Sequence, residues 1–380
     1  PTPDPQAPNP ANNSDSGNFV RGENEPCIFV NPTTGLKLLL YVDDILCRGS
    51  VDETEKFYKA LSERFDTKDP EYMELSLDRV TPENKLGFIG FDISCRKDDV
   101  TGGMVYSIDQ EQYVKDLLGE YDVKRVKNIG SPMASMSVIK SDDEQLSESD
   151  ADEYRKIMGK LNYLVSTTRY DIAYSVSQCS HYTANPTVGS RRALFRILSY
   201  LLATTDFKLE GYSTTYNTVE CYSDSDFGGV RPLSTCSHSG TMIMLNGVPV
   251  VWHSKRQPKT SISSAQAEIY ALSESSKYML RYKYMSDDLV LGLPGVCRVM
   301  TDNTQGVSFA NSLCTSSRLG GVFDLREGWV KELRDEGKIK VDHIPAEFNC
   351  ADALTKSLPA YLFNKAMKLV QTGGAFTGFK

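Results

Sequence analysis

The chain has 380 residues, of which 42 are Lys or Arg and 50 are Asp or Glu, so its formal net charge is −8. A hydrophobic fraction of 40% excludes disorder over the whole chain, and no apolar run approaches the roughly 20 residues of a membrane-spanning helix. The acidic balance argues against a simple basic coat for nucleic acid. Nine cysteines without a CxxC pair, beside only four histidines, predict reduced thiols rather than a zinc cluster.

The N-terminal part predicts a tail followed by short strands. Residues 1–26 are rich in Pro, Asn, Ser and Gly and predict a disordered tail. Apolar runs at 27–30 and 36–42 predict a β-hairpin, with Asp43 and Asp44 at or beside its turn and 45–47 as the returning segment. A helical stripe over 52–66 and strands at 85–93 and 104–108 follow. We therefore expect an α+β region over 27–108.

The middle of the chain, 109–217, is mainly helical in its pattern. Asp109 is a candidate N-cap for a helix at 109–119. Residues 141–153 are rich in Ser, Asp and Glu and predict an exposed linker. The apolar spacing predicts helices across 150–203.

The C-terminal part predicts an α/β domain at 218–358, followed by a tail at 359–380. The pattern indicates strands at 218–223, 239–245, 248–253, 296–301 and 339–344, and helices at 264–281, 304–311, 324–335 and 349–357. Strands that alternate with helices in this way are typical of an α/β sheet. Residues 218–358 hold 15 Lys+Arg and 16 Asp+Glu, a balance of −1. Most of the net charge of −8 therefore comes from residues outside this domain.

Four carboxylates of this domain lie where sites in α/β folds collect. Asp224 and Asp302 end predicted strands, Glu268 lies within the helix at 264–281, and Asp352 lies in the first turn of the last helix. Clustered carboxylates repel one another unless a cation neutralises them, and hard oxygen ligands suit Mg²⁺ or Mn²⁺. Two such ions about 4 Å apart can activate water against a phosphodiester. Each acid alone is better explained as a capping, surface or turn residue, but all four in this order favour a metal site.

Short motifs around these acids form a recognisable series. They are YSDSDFGG at 222–229, SG at 239–240, WHSKRQ at 252–257, SS at 263–264, AEIYA at 267–271, TDN at 301–303, HIPA at 343–346 and ADALTK at 351–356. In this series the chain resembles the C-terminal part of the Pol polyprotein of copia-type LTR retrotransposons. The resemblance covers about residues 25–358. For 218–358 it implies a ribonuclease H-like fold, with a mixed five-stranded sheet and flanking helices.

The resemblance also implies a function and a set of site residues. It implies a ribonuclease H that hydrolyses the RNA strand of RNA/DNA hybrids with two Mg²⁺ or Mn²⁺ ions, within an intracellular particle or the nucleus. Full-length Pol or a second copy of the chain would be a further partner. The implied catalytic and metal-binding residues are Asp224, Glu268, Asp302 and Asp352. The implied nucleic-acid-binding residues are Lys255, Arg256, Gln257 and Asn303.

Three positions depart from the family pattern. Glu347 stands where many ribonucleases H have a His in the loop before the last acid. Gly321 and Val322 replace a usual Lys-His pair, and Tyr170 replaces a usual Pro. The first two changes bear on product release and on substrate contacts, whereas the third is mild.

A second motif, YVDDIL at 41–46, resembles the YxDD box of reverse transcriptases. By this resemblance Asp43 and Asp44 are the remnant of a polymerase site, 27–108 is a truncated palm and 109–217 is the thumb and connection. The third polymerase aspartate of the family lies upstream, and nothing before Asp43 supplies it. Two acids without a third ligand are poorly suited to hold two metal ions. We therefore expect no DNA polymerisation from this chain alone.

Two alternatives to a nuclease stay open at the level of sequence. The chain could be an inactive retrotransposon remnant that acts only as a nucleic-acid-binding module, or a structural partner of a full-length polymerase. The changes at Gly321 and Val322 motivate the first of these alternatives. The presence of all four acids favours the nuclease, since decay would not be expected to spare them selectively.

Overall fold

The computed structural model describes residues 19–73, 85–98, 102–133, 139, 143–212, 217–228, 235–312 and 325–371. Two compact units are present, one drawn from residues 1–73 and 283–292 and the other from residues 74–282 and 293–380. The predicted α/β class with a mixed five-stranded sheet is confirmed, and this sheet lies in the larger unit. None of the helices in the described ranges is long and apolar enough to cross a membrane.

The smaller unit contains an antiparallel sheet of four strands. They are β1 (Val20–Arg21), β2 (Ile28–Val30), β3 (Lys37–Tyr41) and β4 (Asp44–Arg48), and they lie in the order β1-β2-β3-β4. Strands β3 and β4 form the predicted hairpin, with Val42 and Asp43 as its two turn residues. Helix α1 (Val51–Ser62) follows, and it begins after Ser50, whose side chain accepts a hydrogen bond from the Glu53 backbone N–H.

The larger unit begins with a second antiparallel sheet and a group of helices. The sheet consists of β5 (Lys85–Phe88), β6 (Phe91–Lys97), β7 (Met104–Asp109) and β8 (Lys208–Tyr212) in that order. The helices are α2 (Glu111–Gly119), α3 (Glu148–Thr167), α4 (Ala173–Ser180) and α5 (Val188–Ala203).

Two expectations for these helices need correction. Helix α2 begins at Glu111 rather than at 109, because Asp109 is the last residue of β7 and pairs with Asp92 across the sheet. Helix α3 begins at Glu148, inside the predicted linker at 141–153. It starts there because the Ser147 hydroxyl accepts a hydrogen bond from the Asp150 backbone N–H and caps the first turn.

The five-stranded sheet of the larger unit has the order β11-β10-β9-β12-β13. Its strands are β9 (Val219–Asp226), β10 (His238–Leu245), β11 (Val248–Arg256), β12 (Cys297–Thr301) and β13 (Ile339–His343). The first three are antiparallel, and β12 and β13 join them in parallel. Asn246 and Gly247 connect β10 to β11 with positive φ angles of 51° and 81°, as a tight hairpin turn requires. The helices of this region are α6 (Ser264–Asp288), α7 (Thr304–Asn311), α8 (Leu325–Asp335) and α9 (Ala360–Gln371).

One buried core joins the helices of the larger unit to its five-stranded sheet. Leu161 and Ile197 from the helices and Tyr222 and Met242 from the strands belong to the same cluster. Fully burying an apolar side chain of this size stabilises a fold by about 1.5–3 kcal/mol. Helix α9, which lies in the predicted tail at 359–380, also packs into this core. The border predicted between residues 217 and 218 stays a prediction. Most of the cysteines that the structure describes are buried, among them Cys179, Cys221 and Cys350, and their reduced state stays a prediction.

The helix predicted at 349–357 is wrong. Two 3-10 turns, Ala346–Phe348 and Asp352–Leu354, stand in its place. Asn349 lies between them with an extended backbone, and its Nδ2 donates a hydrogen bond to the Ser223 carbonyl oxygen at 3.1 Å. This bond bends the chain onto β9 and brings Asp352 to the edge of the sheet.

Candidate metal and active site

Asp224 and Asp302 lie side by side on two neighbouring parallel strands. Strands β9 and β12 pair with Met300 opposite Tyr222, so Asp302, the residue directly after β12, comes alongside Asp224. Asp224 is 4% exposed, and Asp302 is partly buried. The strand register therefore places two carboxylates together in a largely dry environment.

Helix α6 adds Glu268 to this pair. One ligand oxygen from each of Asp224, Glu268 and Asp302 lies within 4.8 Å of the others, a geometry that could hold a metal ion. Glu268 Oε2 is buried and has no hydrogen-bond partner. A buried acceptor without a partner carries a desolvation cost of about 1–3 kcal/mol, which a cation at this position would remove. The three side chains therefore fit a hard divalent ion such as Mg²⁺ or Mn²⁺.

The electrostatics of the cluster support this fit. Burial, and then the charges of Asp224 and Asp302, raise the pKa of Glu268 to about 9. Burial and the charge of Asp352 raise the pKa of Asp224 to about 6, and the same two causes raise the pKa of Asp302. Without a metal ion, Glu268 therefore retains its proton at neutral pH, and a divalent cation would displace it.

Gln257 is buried and fastens helix α6 to the sheet. Its Nε2 donates to the Ala267 carbonyl oxygen at 2.9 Å and to Ser239 Oγ at 2.9 Å, and its Oε1 accepts from Ser261 Oγ at 3.0 Å. These bonds use the amide group inside the protein. The nucleic-acid contact predicted for Gln257 is therefore replaced by a role in positioning Glu268, the residue after Ala267.

Asp352 lies beside this cluster but does not belong to the group of three. Its carboxylate forms an ion pair with Lys356 Nζ. Its charge nevertheless reaches Asp224 and Asp302, whose pKa values it raises. Burial lowers the pKa of Lys356, but the carboxylates of Asp224, Asp352 and Asp226 outweigh it and raise this pKa. The structure thus brings three of the four predicted acids into one cluster and places the fourth next to it, paired with a lysine.

Two residues that sequence reasoning did not assign to the site hold the Asp352 turn in place. Thr355 Oγ1 donates a hydrogen bond to Asp224 Oδ2, and both residues are buried. The side chain of Asn349, besides its bond to the main chain of β9, accepts a hydrogen bond from the Ala351 backbone N–H at 3.1 Å. Each is a polar residue three positions from Asp352, and this spacing was the signal that could have identified them.

The predicted nucleic-acid-binding residues other than Gln257 lie at the ends of strands. Lys255 and Arg256 are exposed at the end of β11, on the strand next to β10. Asn303 follows Asp302, and its Oδ1 accepts a hydrogen bond from the Gly306 backbone N–H at 2.8 Å. This bond caps helix α7 and gives Asn303 a local structural role.

The chain is similar to Pol polyproteins of retrotransposons over about nine-tenths of its length. It is 26% identical over 364 residues to the retrovirus-related Pol polyprotein from transposon TNT 1-94 of Nicotiana tabacum, which covers 93% of this chain and 26% of the relative. It is 28% identical over 356 residues to the retrovirus-related Pol polyprotein from transposon RE1 of Arabidopsis thaliana, and the match covers 92% of this chain and 23% of that relative. It is 24% identical over 358 residues to the truncated Ty1-A Gag-Pol polyprotein of Saccharomyces cerevisiae, and the match covers 89% of this chain and 28% of that relative. The chain is a homologue of copia-type Pol polyproteins. It spans about a quarter of the length of these relatives.

No protein-family model matches this Pol homologue. Solved ribonuclease H structures align with part of it. LC11-RNase H1 in complex with an RNA/DNA hybrid is 19% identical, with a TM-score of 0.28, and covers 36% of this chain and 94% of that chain. A ribonuclease H1 from the halophilic archaeon Halobacterium salinarum is 18% identical, with a TM-score of 0.25. The alignment covers 40% of this chain and 97% of that chain.

The polymerase-type motif of this Pol homologue lies in the smaller unit. Asp43 is the second turn residue of the hairpin, Asp44 opens β4 opposite Tyr41, and both acids are exposed. Val42 has a φ of 53°, in the left-handed region that a β-branched residue rarely adopts. Within the described ranges, no third acid joins Asp43 and Asp44 in a group with metal-binding geometry.

The departures from the family pattern fall in different surroundings. Glu347 is exposed in the first 3-10 turn, with its carboxylate 3.7 Å from Lys365 Nζ. Tyr170 is buried, and its ring lies edge-on to that of Trp252 in the core. Residues 321–322 lie outside the part of the chain that the structure describes.

Proposed function

We propose that this chain carries the ribonuclease H activity of a copia-type Pol polyprotein and hydrolyses the RNA strand of RNA/DNA hybrids. The observation that carries the proposal is the cluster of Asp224, Glu268 and Asp302, with ligand oxygens within 4.8 Å of one another. The unpartnered Oε2 of Glu268 supports it, because this buried oxygen lacks the cation or donor that it needs. A divalent ion held there would supply an activated water and neutralise charge on the leaving oxygen.

The residues of the chain prepare this chemistry in separate ways. Thr355 holds one oxygen of Asp224, which leaves the other oxygen to face a cation. Gln257 fixes the start of helix α6 and therefore the position of Glu268. Burial excludes water from Asp224, so electrostatic interactions within the site are stronger than at the surface.

The substrate that we propose is an RNA/DNA hybrid, read mainly through its backbone. Lys255 and Arg256 are exposed basic residues that suit contacts with phosphate groups. Choice of the RNA strand would come from contacts with its 2′-hydroxyl groups, which DNA lacks. A two-metal mechanism needs a second ion beside the first, and Asp352 is the remaining predicted acid for that position.

The test is cleavage of an RNA/DNA hybrid labelled on its RNA strand, with Mg²⁺ or Mn²⁺. We expect the unmutated chain to cut the RNA, and Asp224→Asn to lower the rate at least about 100-fold, since it removes a metal ligand. Asp342→Asn is the matched control, because Asp342 belongs to the same sheet but pairs with Arg298 and Lys340 at the surface. Duplex RNA and duplex DNA should stay intact. Absence of hybrid cleavage with both metals would overturn the proposal, and hybrid binding without cleavage would favour a non-catalytic binding module.

We also propose that this chain by itself does not extend a DNA primer. The exposure of Asp43 and Asp44 and the lack of a third acid beside them, within the described ranges, support this view. Incubation with poly(rA)/oligo(dT) and dTTP should give no product. A template-dependent product that disappears in Asp43→Asn would contradict it.

A further inference from the structure

An ammonium group already lies within the acidic region of the site. Lys356 Nζ forms an ion pair with Asp352 Oδ1. The carboxylates of Asp224, Asp352 and Asp226 are the charges that most favour the Lys356 ammonium over its neutral form. We call Lys356 and these three acids the lysine group.

The lysine group and the metal-binding cluster share only one residue. The cluster with metal-binding geometry consists of Asp224, Glu268 and Asp302. Asp224 is the member common to both. Asp224 therefore belongs both to the three-acid cluster and to the lysine group.

The backbone fixes the position of Lys356 in this arrangement. The preceding residue, Thr355, is hydrogen-bonded to Asp224, and Asp352 lies one turn earlier in the same segment. Asp226 lies two residues after Asp224 on β9, so both side chains project from the same face of the strand. Lys356 thus follows a residue that is hydrogen-bonded to Asp224, and its ammonium pairs with Asp352.

We propose that Lys356 occupies the second cation position of the site, so that the chain binds one divalent ion at Asp224, Glu268 and Asp302 and takes a second only after this ammonium moves away. The inference rests on the metal site proposed above. Its physical basis is that a lysine ammonium and a divalent ion that share Asp224 repel each other. Lysine suits such an exchange, because its single charge sits on a flexible stem of four carbons.

The experiment measures how many Mn²⁺ ions the full chain binds, by calorimetric titration and by electron paramagnetic resonance of the free ion. For the unmutated chain we expect one tight Mn²⁺ and a second that binds at least tenfold more weakly. Lys356→Met and Lys356→Gln should bind the second ion at least tenfold more tightly than the unmutated chain. The matched control is Lys365→Met, since Lys365 is an exposed lysine of α9 that lies near Glu347. It should bind as the unmutated chain does, and circular dichroism should show that each variant is folded.

The outcomes separate this inference from the proposed function. Two equivalent Mn²⁺ ions in the unmutated chain, or no gain in second-ion affinity in both Lys356 variants, would overturn the inference alone. In that case, hybrid cleavage by the unmutated chain would still support the nuclease. No Mn²⁺ binding by any of the chains would overturn the metal site and the inference together.

Discussion

Thr355 donates its hydroxyl hydrogen bond to the carboxylate of Asp224, a residue 131 positions earlier in the chain. Both side chains are buried, so this bond replaces water as a donor to the carboxylate. It also joins the segment that carries Asp352 to the central strand of the five-stranded sheet. The contact therefore sets the orientation of a proposed metal ligand and the position of its neighbour at the same time.

Replacing Thr355 with Val should damage both stability and activity. Val matches Thr in shape but leaves Asp224 without this donor, at a cost of about 1–3 kcal/mol in the free energy of unfolding. We expect hybrid cleavage to fall as well, because the carboxylate is free to rotate. Urea denaturation and cleavage assays measure the two effects. Thr355→Ser keeps the hydroxyl and is the control, and equal losses in both variants would show that the hydrogen bond is unimportant.

Gly240 lies opposite Asp224 on β10, at a point where the Asp352 turn approaches the sheet. A Cβ atom here would lie 2.7 Å from Thr355 Cγ2 and 2.8 Å from the Ala351 carbonyl oxygen. Because the latter is a backbone atom, Gly240→Ala should push the turn away and destabilise the fold by about 1–3 kcal/mol.

The control for this substitution is Gly159→Ala in helix α3, where a Cβ meets nothing within 4 Å. Alanine favours a helix interior over glycine by about 1 kcal/mol, so this variant should be as stable as the unmutated chain or more so. Thermal unfolding of both variants distinguishes the effects. A Gly240→Ala protein as stable as Gly159→Ala would mean that the turn does not press on β10.

The sequence was informative where regular elements carry the site, and uninformative where single polar contacts do. Asp224 and Asp302 follow apolar strand patterns, so their placement at one edge could be anticipated. The Asp352 turn could not, because a 3-10 turn has no amphipathic period and its shape depends on the contact between Asn349 and Ser223. Gln257 was assigned to nucleic-acid binding because it lies in the WHSKRQ motif of the family. Its burial depends on partners elsewhere in the chain, such as Ser239.

Glu268→Gln should separate metal binding from folding. A pKa of about 9 means that Glu268 holds its proton at pH 7 without metal, and glutamine resembles that neutral form closely. The metal-free variant should therefore be about as stable as the unmutated chain. An ion at 100 times its dissociation constant stabilises a protein by about 2.7 kcal/mol, and the variant should lose most of this gain. Melting temperatures with and without MnCl₂ at pH 7 test this. If MnCl₂ raises the melting temperature of the variant as much as that of the unmutated chain, Glu268 is not a metal ligand.

The buried ion pair of Arg169 and Asp171 should matter for stability alone. The guanidinium of Arg169 donates two hydrogen bonds to the Asp171 carboxylate, at 2.9 and 2.8 Å, and further hydrogen bonds to Thr204. Asp171→Asn leaves a buried charge without its partner, which costs about 3–5 kcal/mol. The surface pair of Arg298 and Asp342 is the comparison, since Arg298→Ala should cost less than about 1 kcal/mol. Urea denaturation measures the loss in the free energy of unfolding for each variant. Similar losses for Asp171→Asn and Arg298→Ala would contradict the prediction.

A hydrogen-bonded chain through His238 also holds the Asp352 turn, and it requires a neutral imidazole. The Ser254 hydroxyl donates to the Leu354 carbonyl oxygen at 2.6 Å, so it accepts from His238 Nε2 at 2.8 Å. The other ring nitrogen, Nδ1, then accepts from Gln178 Nε2 at 3.4 Å. Burial, and then the charges of His181 and Arg256, lower the pKa of His238 from 6.5 to about 3.

This shift predicts a loss of stability in mild acid. Below about pH 6.5 the unfolded chain takes up a proton at this position and the folded chain does not, so stability is full above pH 6.5 and falls as the pH approaches 3. The loss should be at most about 1.4 kcal/mol per pH unit for this one group. Urea denaturation between pH 7 and 4 measures the slope, which should be shallower in His238→Gln. The exposed His343 provides the control, since His343→Gln should keep the full slope. Equal slopes in the two variants would show that His238 titrates alike in the folded and unfolded chains.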